Sequence, residues 1–260
     1  MTNIIEINNL VLSYNDKLVF NNIRFSANKK DFITIMGSNG SGKSLLANTL
    51  MGILPYEGSV KINGEELSSL TKDDISNNFS MIMDDNDNLY VEKTVISELM
   101  DICIDSRLLK MVIKELNIHE LLERDPRTLS VGEKQLINIA CVILEQKKII
   151  ILDNAFCMLD VYNKKRVFNL LKKINAKGTI IINITQDSEE LLFSKRLIIV
   201  DKGTIVVDDD INKAFLKEKE FLSAHVNLPF IVELCTKLKY YNILSEIELD
   251  EMKLVNAIWK

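Results

Sequence analysis

The 260-residue sequence is poor in the residue types that build metal sites and disulfide frameworks, with four cysteines and two histidines. The cysteines are far apart and form no C-x-x-C pair, so we expect reduced thiols rather than a zinc site or a disulfide framework. His119 and His225 stand alone in the sequence, which favours surface or core roles over ligation.

Long hydrophobic runs are also missing, since the longest apolar segments have only the length of a β-strand; this argues against a membrane-spanning helix. The first ten residues, MTNIIEINNL, lack the charged-then-apolar layout of a signal peptide, so we expect the chain to stay inside the cell. The formal net charge is -5 and no basic stripe is visible, which argues against nucleic acid as the main partner.

The strongest local pattern is GSNGSGKS, residues 37–44, which matches the phosphate-binding consensus G-x-x-x-x-G-K-[ST]. The preceding run FITIM predicts a buried strand, and the following apolar periodicity predicts a helix from about Lys43. Backbone N–H groups of such a loop stabilise phosphate together with the helix N-terminus. We expect Lys43 to contact the β- and γ-phosphates and Ser44 to ligate Mg²⁺. The candidate nucleotide-binding residues are Gly37, Ser38, Asn39, Gly40, Ser41, Gly42, Lys43 and Ser44.

A second pattern, IIILD at 149–153, puts Asp153 at the C-terminal end of a buried strand. Ligands of open parallel sheets bind at this end of the strands. Together with the phosphate loop, Asp153 is predicted to hold Mg²⁺ or its waters. The alternative is an ordinary strand-ending aspartate.

A third pattern, LSVGEKQLINIACVIL at 129–144, predicts an amphipathic helix. Ser130 and Glu133 fit the S-x-x-E capping box, and this structural interpretation is favoured by the stretch alone. The functional alternative is that Ser130 and the Gly132 amide, at the helix N-terminus, bind an anion brought from outside.

The remaining patterns predict an α/β fold. Alternating residues in the first 30 positions indicate an N-terminal antiparallel sheet, and 75–144 is mostly helical in pattern. Short apolar strands at 149–153 and 179–185, separated by a helix, have the βαβ rhythm of a parallel sheet. A hairpin is expected at 195–210, around Lys202-Gly203.

After Asp210 the pattern becomes helical again. Pro229 opens a segment with one apolar face, and a second short helix is expected at 250–258. This part of the chain is predicted to form a separate appendage.

Five motifs occur in a fixed order: Tyr14, the loop at 37–44, L-S-V-G-E at 129–133, I-I-I-L-D at 149–153 and M-L-D at 158–160. Together they resemble the nucleotide-binding subunit of ABC transporters. The tail at 228–258 is similar to the C-terminal extension of the ATP-binding subunits of energy-coupling factor transporters, which import vitamins or metal ions.

The resemblance implies a P-loop NTPase with a RecA-like parallel sheet. It implies a nucleotide-binding domain over residues 1–212, with an N-terminal antiparallel β subdomain and a helical subdomain at about 75–145. A small C-terminal helical extension would cover 213–260.

The resemblance also implies a role for each motif. Tyr14 would stack on the adenine of ATP, and Asp160 would lie at a dimer contact. Ser130, Gly132 and Glu133 would face the γ-phosphate held by a partner subunit, so that two subunits sandwich two ATP molecules.

Three catalytic positions depart from the family pattern. Asn154 stands where the family has a glutamate that acts as base, Gln186 replaces its switch histidine, and Asp84 replaces its sensing glutamine. An amide cannot take a proton at neutral pH, and losing a general base typically costs about 10²–10⁴-fold in rate. Asp84 would either bind Mg²⁺ or repel the γ-phosphate. We therefore expect a degenerate site that holds MgATP and hydrolyses it slowly or not at all.

The favoured hypothesis is a peripheral subunit of an importer at the cytoplasmic face of the membrane. It would work with a second, non-identical ABC ATPase and with integral membrane coupling and substrate-binding subunits. An ATP-dependent dimerising scaffold or regulator without transport is the alternative. A ribosome- or repair-type ABC ATPase is disfavoured, because one unit is present and no sustained heptads occur.

A calcium loop at DDNDN, residues 84–88, is rejected. Its sixth position is Leu89 rather than glycine, and its twelfth is Val95 rather than glutamate.

Overall fold

A computed structural model describes residues 3–83, 90–103 and 105–259 of the chain. Its strands are β1 (Ile5–Tyr14), β2 (Lys17–Ala27), β3 (Phe32–Met36), β4 (Glu57–Ile62), β5 (Glu65–Glu66), β6 (Phe79–Ile82), β7 (Ile149–Asp153), β8 (Ile180–Ile184), β9 (Arg196–Asp201) and β10 (Thr204–Asp210). Its α-helices are α1 (Lys43–Leu50), α2 (Lys72–Asn78), α3 (Val95–Ile102), α4 (Ser106–Leu116), α5 (Val131–Leu144), α6 (Val161–Ala176), α7 (Ile211–Ala214), α8 (Glu218–Ser223), α9 (Phe230–Tyr240) and α10 (Glu251–Ile258).

The main sheet has six described strands in the order β10-β9-β3-β8-β7-β6. All neighbouring pairs are parallel except β10 with β9. Every residue of β3, β7 and β8 is buried. Strands that are covered on both faces are made almost entirely of apolar residues, as in FITIM and IIILD. The predicted βαβ arrangement is confirmed.

A second, antiparallel sheet of four described strands has the order β2-β1-β4-β5. β1 and β2 are joined at Asn15 and Asp16, whose φ angles of 51° and 59° suit a tight hairpin turn. Ile7 of this sheet shares one apolar cluster with Leu46 of α1 and Ile151 of β7. The predicted N-terminal antiparallel sheet is confirmed.

The predicted helical region at 75–144 contains a strand that the sequence did not reveal. Residues 79–82 form β6, which pairs in parallel with β7 from Phe79–Ile149 to Ile82–Leu152. A segment of four residues such as FSMI is too short for its pattern to distinguish a strand from a helix, so the neighbouring strand decides its conformation. The helices α3, α4 and α5 then pack with α6 on the other face of the main sheet.

The C-terminal helices lie where the sequence predicts them, since α9 begins directly after Pro229 and α10 covers 251–258. The β9–β10 hairpin is confirmed as well. The expectation of a separate appendage is wrong. Phe221, Val232 and Leu254 share one apolar cluster with Leu197 of β9 and Val207 of β10, so the extension covers one end of the main sheet.

Among the helices that the structure describes, none is long and apolar enough to cross a membrane.

Because the extension completes the core at this end of the sheet, its buried residues should stabilise the whole domain. We expect Phe221→Ala, at a side chain that is 1% exposed, to lower the free energy of unfolding by about 3–5 kcal/mol. Urea denaturation followed by circular dichroism measures this change. The neighbouring Leu222, 75% exposed, is the control, and Leu222→Ala should cost less than about 0.5 kcal/mol. A main transition that Phe221→Ala leaves unchanged would show that the extension unfolds independently.

Candidate nucleotide-binding site

The candidate site lies at one edge of the main sheet, where three parallel strands end. The register aligns Ile35 of β3 with Ile184 of β8, and Ile184 with Asp153 of β7. Parallel strands place their C-terminal ends side by side. The phosphate loop after β3, Asp153 and the segment after β8 are therefore neighbours, although the loop is more than 100 positions from the other two in the sequence.

The loop at 37–44 turns directly into α1, which begins at Lys43 as predicted. Its backbone depends on glycine at Gly42, where φ is 95° and a Cβ atom would lie 2.4 Å from Cγ1 of Val19. At Gly40, φ is 76° and a Cβ atom would meet nothing within 4 Å. The loop is thus held tightly at Gly42 and is open at Gly40.

Lys43 folds back over this loop. Its Nζ donates to the carbonyl oxygens of Gly37 at 3.0 Å and Ser38 at 2.9 Å, and to Oγ of Ser41 at 3.3 Å. Burial lowers the pKa of Lys43, and the negative charge of Asp153 offsets part of that shift. The ammonium group is therefore already surrounded by oxygen acceptors.

A cleft of about 260 Å³ opens beside Lys43. It is lined by Asn39, Gly40, Gly42, Lys43, Ser44, Leu45, Asn154 and Gln186. The side-chain amide of Gln186 donates a hydrogen bond to Oδ1 of Asn39, which joins the end of β8 to the loop. The structure brings together the loop residues and two of the three departing positions.

Two other candidate residues, Tyr14 and Asp160, lie outside the lining of this cleft. Tyr14 ends β1 and is 44% exposed. Asp160 caps α6, accepting the N–H of Asn163 at 2.8 Å. Asp84 falls outside the described residues. The roles of these three residues stay predictions.

Comparison with known proteins decides the family. The sequence model of the ABC transporter family matches residues 20–157. The energy-coupling factor transporter ATP-binding protein EcfA of Pediococcus pentosaceus is 33% identical, over 96% of this chain and 94% of that protein. EcfA1 of Mycoplasma genitalium, also an energy-coupling factor transporter ATP-binding protein, is 29% identical over 97% and 95%.

The chain belongs to the ABC transporter family. Within it, the likeness over nearly the full length places the chain among the energy-coupling factor transporter ATP-binding proteins. A solved bacterial Atm1-family ABC exporter with ATP bound superposes with a TM-score of 0.74 at 16% identity, covering 86% of this chain and 42% of the exporter. This likeness shows the fold alone, and it confirms the predicted α/β P-loop NTPase class.

Residues 129–133 of this ABC protein resemble the family's L-S-G-G-Q signature, and Ser130 and Glu133 form a capping box within them. The N–H of Ser130 donates to Oε2 of Glu133 at 2.8 Å, and the N–H of Glu133 donates to Oγ of Ser130 at 3.4 Å. The hydrogen bonds from Ser130 lower the pKa of Glu133, and Arg124 lies 2.9 Å from its Oε1. The capped helix is confirmed, while a role toward a partner's phosphate stays a prediction for Ser130, Gly132 and Glu133.

Asn154, at the position where ABC ATPases have glutamate, has a left-handed backbone with φ of 50°. Its N–H donates to the carbonyl of Ile184 at 2.9 Å, and its own carbonyl accepts the N–H of Cys157 at 3.3 Å. Among residues with a side chain, asparagine is one of the few that enter this region readily. The local backbone therefore favours the residue that is present over the glutamate of the family.

A second cavity of about 440 Å³ borders the cleft and was not predicted from the sequence. It shares Asn154 and Gln186 with the cleft and contains Lys164, whose Nζ lies 2.7 Å from Oδ2 of Asp187 and 3.5 Å from Oε1 of Glu190. Burial raises the pKa of Glu190. These residues come from α6 and from the segment after β8, so no local pattern could have grouped them.

The backbone of Asn154 gives a test of stability. We expect Asn154→Glu to lower the free energy of unfolding by about 1–2 kcal/mol, because the left-handed region is unfavourable for most side chains. Asn154→Gly should cost less than about 0.5 kcal/mol, since glycine adopts positive φ without strain. Chemical denaturation of the purified protein measures both values.

The matched control is Asn169→Glu, which makes the same change on the exposed side of α6. Glutamate favours helix more than asparagine does, so this variant should be unchanged or slightly more stable. Equal destabilisation at positions 154 and 169 would contradict the backbone explanation.

Proposed function

We propose that this chain is the ATP-binding subunit of an energy-coupling factor importer, and that its own site holds MgATP but hydrolyses it slowly or not at all. It acts at the cytoplasmic face of the membrane as a peripheral subunit. It works with a second, non-identical ABC ATPase that has the intact glutamate and histidine, and with integral membrane coupling and substrate-binding subunits. A vitamin or a metal ion is the imported solute.

The residues present fit a nucleoside triphosphate with its metal. The loop is open at Gly40, where even a Cβ atom would meet nothing within 4 Å. Lys43 donates to three oxygen acceptors of the loop, and phosphate oxygens are acceptors of the same kind. Ser44 and Asp153 would hold Mg²⁺, which prefers oxygen ligands and, when bound, neutralises charge on the phosphates.

The single observation that carries the proposal is the pair of amides beside Lys43. Asn154 and Gln186 both line the cleft, at the two positions where the family has a base and a switch histidine. Neither amide can accept a proton at neutral pH, and Gln186 already donates to Asn39. The binding cation is kept while the groups for cleavage are replaced, which corresponds to a rate lower by about 10²–10⁴-fold.

We infer a non-identical partner because this chain keeps the groups that bind ATP and lacks those that cleave it. Two copies of this chain would contain two sites without a base, so transport needs an intact site on another subunit. The chain is similar over nearly its full length to proteins that are named energy-coupling factor transporter ATP-binding proteins. This similarity supports an importer subunit over a scaffold without transport.

The proposal predicts binding without turnover. The isolated chain should bind ATP in the presence of Mg²⁺, as measured by isothermal titration calorimetry. Lys43→Ala should lose this binding, because the cation that contacts the phosphates is removed. ATP turnover by the isolated chain should be slower than the usual enzyme range of about 1–10³ s⁻¹. When the partner ATPase is added, the mixture should hydrolyse ATP.

Brisk turnover by the isolated chain that Asn154→Ala leaves unchanged would contradict the degenerate site. Tight ATP binding and dimerisation of this chain with itself, with no turnover or uptake after the partner and membrane subunits are added, would instead favour the scaffold.

A further inference from the structure

A chain of side-chain hydrogen bonds runs from Tyr90 to the turn that carries Asn154. The hydroxyl of Tyr90 lies 2.7 Å from Oδ1 of Asn138, and Nδ2 of Asn138 lies 3.5 Å from Oε1 of Gln135. Nε2 of Gln135 donates to the carbonyl oxygen of Ala155 at 2.7 Å. Asn138 and Gln135 both lie on α5, one helical turn apart.

The last acceptor fixes the direction of every bond in this chain. A backbone carbonyl can only accept, so Gln135 must present its NH₂ group to Ala155 and its oxygen to Asn138. Asn138 must then present its NH₂ group to Gln135, and its oxygen is left for the Tyr90 hydroxyl. All three donors thus point toward the turn, and hydrogen bonds aligned in this way strengthen one another.

We propose that Gln135 is a positioning residue for the nucleotide cleft, which acts through the carbonyl of Ala155 and is itself oriented by Asn138 and Tyr90. The cleft does not contain Gln135, but Asn154, the residue before Ala155, lines it. This inference rests on the proposed function only in the experiment that measures nucleotide binding.

The turn needs such an anchor because of its conformation and burial. Asn154 has a left-handed backbone, with φ of 50°, which asparagine adopts at a smaller cost than most residues but which neighbouring contacts must still stabilise. Ala155 is 1% exposed, so water cannot replace the bond that Gln135 makes to its carbonyl. Asn138 is 7% exposed and likewise depends on its protein partners.

The anchor can be tested without nucleotide. Gln135→Glu keeps the shape of the side chain but turns the donor toward Ala155 into an acceptor. We expect hydrogen exchange of the Asn154 and Cys157 amides to become faster by about tenfold or more in this variant, because a buried carbonyl is left unpaired. Gln146→Glu adds the same charge at an exposed position directly after α5, and it should leave this exchange unchanged. Unchanged exchange in Gln135→Glu would overturn the proposal.

The effect on the cleft is tested with the milder variant Tyr90→Phe, which removes the outer donor to Asn138 and with it the 3.3 Å contact to the Lys134 carbonyl. Since Asn154 lines the cleft beside Lys43, the residue we expect to contact the β- and γ-phosphates, we expect the ATP dissociation constant to rise by about threefold to tenfold. The ADP dissociation constant should change less than twofold. Tyr240→Phe, at a side chain that is 82% exposed in the extension, should change neither value.

A purely structural role would weaken ATP and ADP binding equally, and that result would overturn the proposal. Wild-type protein that binds neither nucleotide would count against the proposed function instead, while the exchange experiment would still decide whether Gln135 anchors the turn.

Discussion

The functional site of this ABC protein depends on the parallel pairing of three buried strands. β8 lies between β3 and β7, and the backbone register sets Ile35, Ile184 and Asp153 side by side. Because all three strands are buried, a slip in this register would move polar groups at their C-terminal ends, such as Asp153, into the apolar core, which is strongly disfavoured. The phosphate loop, the acid after β7 and the amide after β8 meet at this edge for that reason.

In the function that we propose, this edge keeps the groups that bind ATP and lacks those that cleave it. The hydrogen bonds described for Lys43 all lie within its own loop, to the carbonyls of Gly37 and Ser38 and to Oγ of Ser41. The proposed replacement of acid and imidazole by Asn154 and Gln186 therefore leaves these bonds intact. The backbone at this position also favours asparagine over glutamate, because Asn154 has a left-handed conformation that is unfavourable for glutamate.

Local features of the fold were predictable from the sequence. The strand at 149–153, the helix from Lys43 and the capping box of Ser130 each depend on residues within a few positions of one another. The resemblance to ABC transporters, which the comparisons confirm, came from the order of five such local motifs.

Features that depend on distant contacts were missed. β6 is a strand because β7 lies beside it, and the extension joins the main core because β9 and β10 leave an apolar surface for Phe221 and Val232. The hydrogen bond from Gln135 to Ala155 joins residues 20 positions apart, and no periodic pattern in the sequence predicts it. The left-handed backbone of Asn154 was equally hidden, since asparagine occurs in right-handed segments too.

We propose that one cleft binds ATP and Mg²⁺ but splits the nucleotide slowly or not at all. Phosphorus NMR of the isolated subunit with one equivalent of MgATP tests both parts in a single sample. The account predicts that the β- and γ-phosphate resonances shift on binding and that the γ signal persists for hours. Resonances identical to those of free MgATP, or rapid conversion to ADP and inorganic phosphate, would contradict it.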